Sequence, residues 1–420
     1  MVLLLIGFMV LVCTAFWLWR HHLQKISVRF LPNAHGAEEV VLLLCMDPHS
    51  GGLERCVLAQ HHEFIKAGVC SILVTPHNAF ILPVALRAQL PVVTYHPTLV
   101  SSDAWVWCPG LRAALDFLIK QYGQRLLVVH SNSPRETFVA RDALRGLDVP
   151  LVFSRHSVGY IRPSLRSTPD ALIAVSPAIA EELEAANKRD GIKQQVAVLP
   201  PFFDTDRIES FEPTQDRATF FKQTFGVTLK TCPLLVKVAH LYADLAHKNH
   251  PLVLEAMHEL IYRRNIPVQI ALAGAGPSEA LLRRLVREKG LDGYVHFLGA
   301  TEQTPAVFHY ADVALLAGRK EAFGMALAEG GLMKKPTIIA DTAGAAGWLI
   351  EDGVTGYLFR ADEASSLADR IAFILQHPTE ATACGARLRD RVLNDFGPAT
   401  TARRMMVFYR QLHDSVKTIA

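Results

Sequence analysis

Asp312-Val313-Ala314-Leu315-Leu316-Ala317, then Gly318 and Arg319-Lys320-Glu321-Ala322-Phe323-Gly324-Met325-Ala326-Leu327-Ala328-Glu329, is the stretch that decides the fold. Its first part is a continuous apolar run, as expected of a strand covered on both faces of a parallel sheet. From Gly324 to Met333 the pattern predicts a helix that starts at the strand's C-terminal end. Ligands of open α/β sheets sit in that crevice. A helix start also offers unpaired N–H groups and about half a positive charge, which suit a phosphate. Glu321 stands in the loop before this anion site, and Glu329 one to two turns into the helix. A carboxylate does not bind a diphosphate, but it accepts a pair of sugar hydroxyls beside one. The spacing therefore points to a ligand carrying phosphate and sugar rings; a solvated acidic loop with a surface helix glutamate is the plainer alternative.

The same strand–turn–helix unit repeats in both directions. Toward the N-terminus, strands are expected at Val40 to Leu44, Cys70 to Thr75, Val92 to Tyr95, Leu126 to Val129, Leu151 to Ser154 and Ala171 to Val175. Helical periodicity fills gaps such as Leu111 to Tyr122 and Pro177 to Ala186. Prolines and acidic residues from Pro200 through Arg217 read as an interdomain linker. A second series follows at Leu234 to Ala239, Val268 to Ala273, Val295 to Leu298, Val313 to Ala317 and Thr337 to Ala340. This is an α/β chain of two Rossmann-like halves, expected to face each other across a ligand cleft. A final amphipathic helix, Pro398 to His413, is expected to pack back across the linker.

Composition narrows the class. At 420 residues, half hydrophobic and a fifth charged, the chain predicts two or more globular domains. A net charge of +3 and the lack of a basic run interleaved with aromatics exclude a strong nucleic-acid reading. Seven scattered cysteines without a C-x-x-C pair read as buried free thiols in a reducing compartment. Met1 to Trp19 carries no charge, and its length suits a bilayer's hydrocarbon core. Trp17 and Trp19 stand at its end, and Arg20, His21, His22, Lys25 and Arg29 follow. The expectation is a transmembrane anchor over 1–19 and a juxtamembrane linker over 20–39. The catalytic domains are then cytoplasmic, as at a bacterial inner membrane. A cleaved signal peptide fits less well, lacking a basic leading region and a small-residue cleavage site.

Other residues carry candidate chemistry. Gly51 and Gly52 open a helix after the first strand, where backbone N–H groups can approach a phosphate or sugar closely; a structural Gly-Gly turn is the alternative. No G-x-G-x-x-G, Walker loop or G-x-S-x-G is present, so dinucleotide, ATP and hydrolase readings lack their fingerprints. His156 follows the strand Leu151 to Ser154 at its crevice edge and can orient a hydroxyl, although with eighteen histidines a surface or core role is open to it. Lys248 opens a helix after a polar loop and can neutralise a departing diphosphate; an ordinary loop cation is the alternative. Gly274 lies in Ala273-Gly274-Ala275-Gly276-Pro277, a turn suited to close passage of a nucleotide. No His, Asp and Cys cluster has metal-ligand spacing and no D-x-D occurs. Metal-independent catalysis without a cofactor is the preferred reading.

Taken in order along the chain, these residues resemble the retaining nucleotide-sugar glycosyltransferases of GT-B fold, specifically glycosyltransferase family 4. The resemblance covers roughly 40 to 410. Its most specific part is the E-x7-E element Glu321 to Glu329, with Ala311-Asp312-Val313 upstream and Asp352-Gly353-Val354-Thr355-Gly356-Tyr357-Leu358 downstream. It implies that Glu321 holds the donor sugar's hydroxyls and Glu329 the nucleotide ribose. It further implies that Lys248 stabilises the leaving phosphate, that Gly51 and Gly52 approach the diphosphate, and that His156 lies on the acceptor side. The amides of Phe323, Gly324 and Met325 would complete the phosphate cradle. The implied layout is an acceptor domain over 40–205, a donor domain over 206–397 and a returning helix over 398–420. The implied partners are a UDP- or GDP-linked sugar and a lipid-linked or cell-envelope glycan acceptor, as in lipopolysaccharide or glycolipid biosynthesis.

Some positions depart from the family pattern. Ala239-His240 replaces its Gly-Arg pair, and Trp348 replaces a glutamate before the Asp-Gly turn. A histidine is only partly charged at neutral pH, so the burden on Lys248, or on Arg319 and Lys320, grows. Two other functions remain open at this point: a nucleotide-sugar epimerase of the same fold, and a membrane-tethered scaffold whose site has decayed.

Overall fold

The structure is a computed structural model that describes residues 23–32, 39–46, 51–98, 100–101, 106–319, 321–344 and 346–419. They divide into two units. The first draws on Met1–Val175, Ala180–Phe203 and Pro398–Ala420, the second on Ser176–Ile179 and Asp204–Gly397.

The first unit contains β1 (Ile26–Arg29), β2 (Val40–Leu44), β3 (Cys70–Pro76), β4 (Val92–Tyr95), β5 (Val100–Ser101), β6 (Val106–Trp107), β7 (Leu126–Ser131), β8 (Leu151–Arg155), β9 (Ala171–Ala174) and β10 (Gln195–Val198). Eight of them form one sheet in the order β1-β4-β3-β2-β7-β8-β9-β10, and β5 pairs with β6 apart from it. Every pairing in the large sheet is parallel except that of β1 with β4. Strand β2 shows why its sequence is apolar throughout. Val41 and Leu43 enter a core with Cys56, Val57 and Phe64 of the helix Gly52–Lys66, while Val40, Leu42 and Leu44 enter another with Leu111, Leu115 and Leu118 of the helix Pro109–Tyr122. A strand covered on both faces has no polar side to show.

The helix Pro398–Ile419 closes the first of these cores with Met405, Tyr409 and Leu412. Tyr409 is fully buried, edge-on to Phe64, and its hydroxyl meets His130 Nδ1 at 2.5 Å.

The second unit holds β11 (Leu234–Val238), β12 (Gln269–Ala273), β13 (Val295–Gly299), β14 (Val313–Leu316), β15 (Thr337–Ala340) and β16 (Tyr357–Phe359). All are parallel, in the order β13-β12-β11-β14-β15-β16. Leu235 packs toward the helices His250–His258 and Ala364–Gln376, and Leu234 and Val236 pack toward Phe220, Phe221 and Phe308. In each unit the strand order reverses at one place, between β2 and β7 and between β11 and β14. Open sheets bind ligands beyond the carboxyl ends of the strands there.

Three expectations need correction. Residues 1–19, read as a membrane anchor, lie outside the described residues, and among those described no helix is long and apolar enough to cross a membrane. The single-pass arrangement with cytoplasmic catalytic domains is accordingly withdrawn. Within 20–39, Ile26–Arg29 is a strand of the first unit rather than linker, with Ile26 opposite Tyr95. Its alternation of Ile26 and Val28 with Ser27 and Arg29 suits an edge strand with one face on the core. Finally, β10 and β16 were not expected; β10 is a short edge strand of sequence Gln-Val-Ala-Val with both ends exposed, too brief and too open to carry a buried-strand signal.

Candidate active site

In the second unit the reversal point is lined by the ends of β11 and β14. After β14 the chain passes Ala317 and Gly318 and turns into the loop that carries Glu321. The loop is braced at its backbone: Gly344 N donates to the Glu321 carbonyl at 2.9 Å, and Thr342 Oγ1 donates to the Arg319 carbonyl at 2.9 Å. The Glu321 side chain lies against Gly318, where a Cβ would stand 2.6 Å from Oε1. The expected helix is Met325–Leu332, with Gly324 as its N-cap at φ 85°. A left-handed residue at that point turns the chain sharply from loop to helix and favours glycine. Phe323 anchors the turn through its ring, 2% exposed, edge-on to Trp348 and tilted against Phe396. Glu329, partly buried, lies one turn into the helix.

Lys248 ends the short helix Leu245–Lys248, which Asp244 caps by accepting from Ala246 N. Its ammonium donates to both oxygens of Glu321, each at 2.8 Å. Both side chains are largely buried, 17% and 11% exposed. The two groups singled out for phosphate and for sugar are thus held on each other. Arg319, considered as an alternative phosphate cation, is instead paired with Asp362. Lys320 lies outside the described residues.

His240 follows β11 and leans on Tyr242, ring centroids 4.4 Å apart; Tyr242 in turn meets His247 at 4.7 Å. The loop after β12 crosses directly over this segment. Gly274 has φ 146°, and a Cβ there would fall 2.0 Å from the Ala239 carbonyl oxygen. Leu241 N donates to the Ala275 carbonyl at 3.1 Å, which fixes the crossing.

Beneath this surface lies a residue that sequence reasoning passed over. Lys237 interrupts the apolar strand Leu234-Leu235-Val236-Lys237-Val238 and is 2% exposed. Burial drives its ammonium down to about 7, with Glu321 opposing that shift and Lys248 adding to it. His250, buried at the start of the next helix, is pushed by burial and by Lys237 to about 3. A charge inside a both-faces-buried strand was the available signal.

In the first unit, Gly51 is the extended N-cap and Gly52 the first residue of Gly52–Lys66. Neither has positive φ, and a Cβ on Gly52 would meet no atom within 4 Å. Residues 47–50 lie outside the described residues. His156 follows β8 and contacts Asn132 Oδ1 through Nε2 at 2.9 Å. Burial, helped by Arg155, pushes this imidazole down to about 4. Asn132, also missed, sits just beyond β7. Its backbone N donates to Glu136 Oε1, and Ser133 N donates to the same oxygen at 2.8 Å in a capping box. Burial raises the Glu136 carboxyl to about 7 despite these donors.

The two doubly wound units, one holding a carboxylate, an ammonium and a helix start at its reversal point, are those of a glycosyltransferase, an enzyme that moves a sugar from a nucleotide donor, as matches to known families show. The chain belongs to the GT-B glycosyltransferases of family 4 type. Residues 230–391 match the family "Glycosyl transferases group 1" and residues 50–207 match "Glycosyltransferase Family 4". The chain is 26% identical over 305 residues to the alpha-D-kanosaminyltransferase of Streptomyces kanamyceticus, covering 68% of this chain and 75% of that one. In fold it is similar to a glycosyltransferase from Rickettsia africae, with a TM-score of 0.74 and 17% identity over 89% of this chain and 98% of that one. It is also similar to Anabaena HepE in complex with UDP and glucose, at 0.72 and 19%, covering 88% and 99%.

Proposed function

We propose that the protein is a retaining, metal-independent hexosyltransferase that passes a sugar from a UDP- or GDP-linked donor to a hydroxyl of a glycan acceptor. The observation that carries this reading is the pairing of Lys248 with Glu321 beside the start of Met325–Leu332. On donor binding the diphosphate takes over Lys248, and the carboxylate so released accepts two sugar hydroxyls. Glu329 takes the ribose. The amides of Phe323, Gly324 and Met325 receive phosphate oxygens, with Gly274 and His240 bounding the nucleotide's path. Gly51 and Gly52 are assigned to the donor near its diphosphate, and His156 to the acceptor side.

Charge grows on the diphosphate as the glycosidic bond breaks, so a cation placed on it lowers the barrier rather than only tightening the substrate. Lys248 and the helix start supply that positive charge without a metal. The sugar leaves and the acceptor attacks on one face, with the departing phosphate taking the acceptor proton. UDP is the first nucleotide to try because a fold neighbour was solved with UDP and glucose.

The test is transfer from a panel of UDP- and GDP-sugars to free and lipid-linked glycans in EDTA, with product anomers read by NMR. Donor consumption that Glu321→Ala abolishes, with the donor's anomeric configuration kept, is the expected result. An inverted product, a strict need for added metal, or a fully active Glu321→Ala each sinks the corresponding part. Because Glu321 here accepts hydrogen bonds from sugar hydroxyls and removes no proton, Glu321→Gln lowers kcat while leaving the pH profile in place.

A further inference from the structure

We propose that Asn132 is a positioning residue for the transfer: it holds His156 as the Nε2–H tautomer, so that the ring offers a bare Nδ1 to a sugar hydroxyl. The proposal rests on the assignment of His156 to the reaction made above. Its geometry starts one residue away from the histidine. The Leu44 carbonyl at the end of β2 stands 3.0 Å from the Asn132 amide. A carbonyl only accepts, so the amide group facing it is the NH2. The other arm, Oδ1, therefore faces His156 Nε2 at 2.9 Å. An amide oxygen also only accepts, so Nε2 carries the proton. The orientation of the amide and the tautomer of the ring both follow from one immovable backbone oxygen.

A neutral imidazole has a single N–H, and this partly buried ring stays neutral at physiological pH. Nδ1 is thus an acceptor, and among the described residues no partner of it is present. The neighbouring His130 is not available for the same task, since Ser154 Oγ at 2.6 Å and Tyr409 OH at 2.5 Å occupy both its nitrogens. Asn132 itself is fixed from behind through its backbone N–H to Glu136. Among the described residues, the charged and titratable groups coupled to the ring are Arg155 and His130, and the Glu136 carboxyl touches Asn132 rather than the ring.

The experiment uses the full chain labelled with 15N-histidine, with His156 assigned by the signal lost in His156→Gln. At pH 7 the wild type is expected to show the Nε2–H pattern for His156; an Nδ1–H pattern or an averaged one overturns the tautomer. Asn132→Asp puts a carboxylate where the amide oxygen was, which is expected to raise the ring's pKa by ~1–3 units. The acid limb of kcat moves up with it. An unmoved limb, with His156 shown by NMR to titrate higher, overturns the link to transfer. Full activity in His156→Gln sinks the assignment of His156 instead, and leaves the tautomer standing.

Discussion

Glu321 faces two ammonium groups, Lys248 in contact and Lys237 in the strand beneath. Removing either member of a largely buried ion pair strands the other, typically at about 3–5 kcal/mol. The two sides of this pair are not equivalent, however. Glu321→Gln leaves two lysines without a counter-charge, whereas Lys248→Met leaves the carboxylate with Lys237. Urea denaturation is expected to show the larger loss for Glu321→Gln; a larger loss for Lys248→Met refutes the role given to Lys237. Lys237 also predicts a pH signature. Its pKa, near 10.4 in the unfolded chain, is about 7 when folded, so the unfolded state binds more protons across that window. Stability therefore rises as pH climbs from 7 to 10, and Lys237→Met flattens that part of the curve.

At the scale of elements, the turn after β12 is the most constrained piece of the second unit. Gly274→Ala sets a Cβ against the Ala239 carbonyl in a backbone region that side chains rarely adopt. It should lower the urea midpoint by the equivalent of ~2–3 kcal/mol, with nucleotide affinity falling further than stability. How well elements were legible follows from burial. Strands such as Val40–Leu44 and Thr337–Ala340 are apolar because both faces are covered, and they emerged with correct limits. Ile26–Arg29 and Gln195–Val198 lie at the two edges of their sheet, where half the side chains meet water and the pattern fades into that of a linker. The candidate site divides in the same way. Glu321, Lys248 and His156 sit on loops and helix ends, where polar residues are visible against apolar runs. Lys237 and Asn132 act from within or just beyond strands. Nothing in one dimension separates Asn132 from an ordinary turn residue, because its meaning depends on the carbonyl of Leu44, eighty-eight positions away.

Across the whole molecule, several buried or partly buried histidines are held uncharged: His61 and His156 at about 4, His130 and His250 at about 3. Each is depressed below its unfolded value near 6.5, so the unfolded chain gains protons first as pH falls. Stability should decline from about pH 6.5 to pH 4, seen as a falling urea midpoint. Glu136, raised to about 7, acts in the opposite sense over an overlapping range and blunts the decline without cancelling four histidines.

The helix Pro398–Ile419 belongs to the first unit, although the whole of Asp204–Gly397 is made before it. The order of synthesis and the order of completion are therefore inverted. While the ribosome adds those intervening residues, the first unit waits with Phe64, Val57 and His130 lacking their cover. At ~5–20 residues per second the wait lasts on the order of 10–40 s. By the end of that wait the second unit has all of its strands. Protease pulses on tethered chains that end at residue 397 and carry an unstructured linker long enough to bring that residue out of the exit tunnel should find the second unit resistant and the first one cut, with resistance of the first appearing only once Tyr409 has also cleared the tunnel. A helix translated after the second unit would then act as a quality check on strands translated before it.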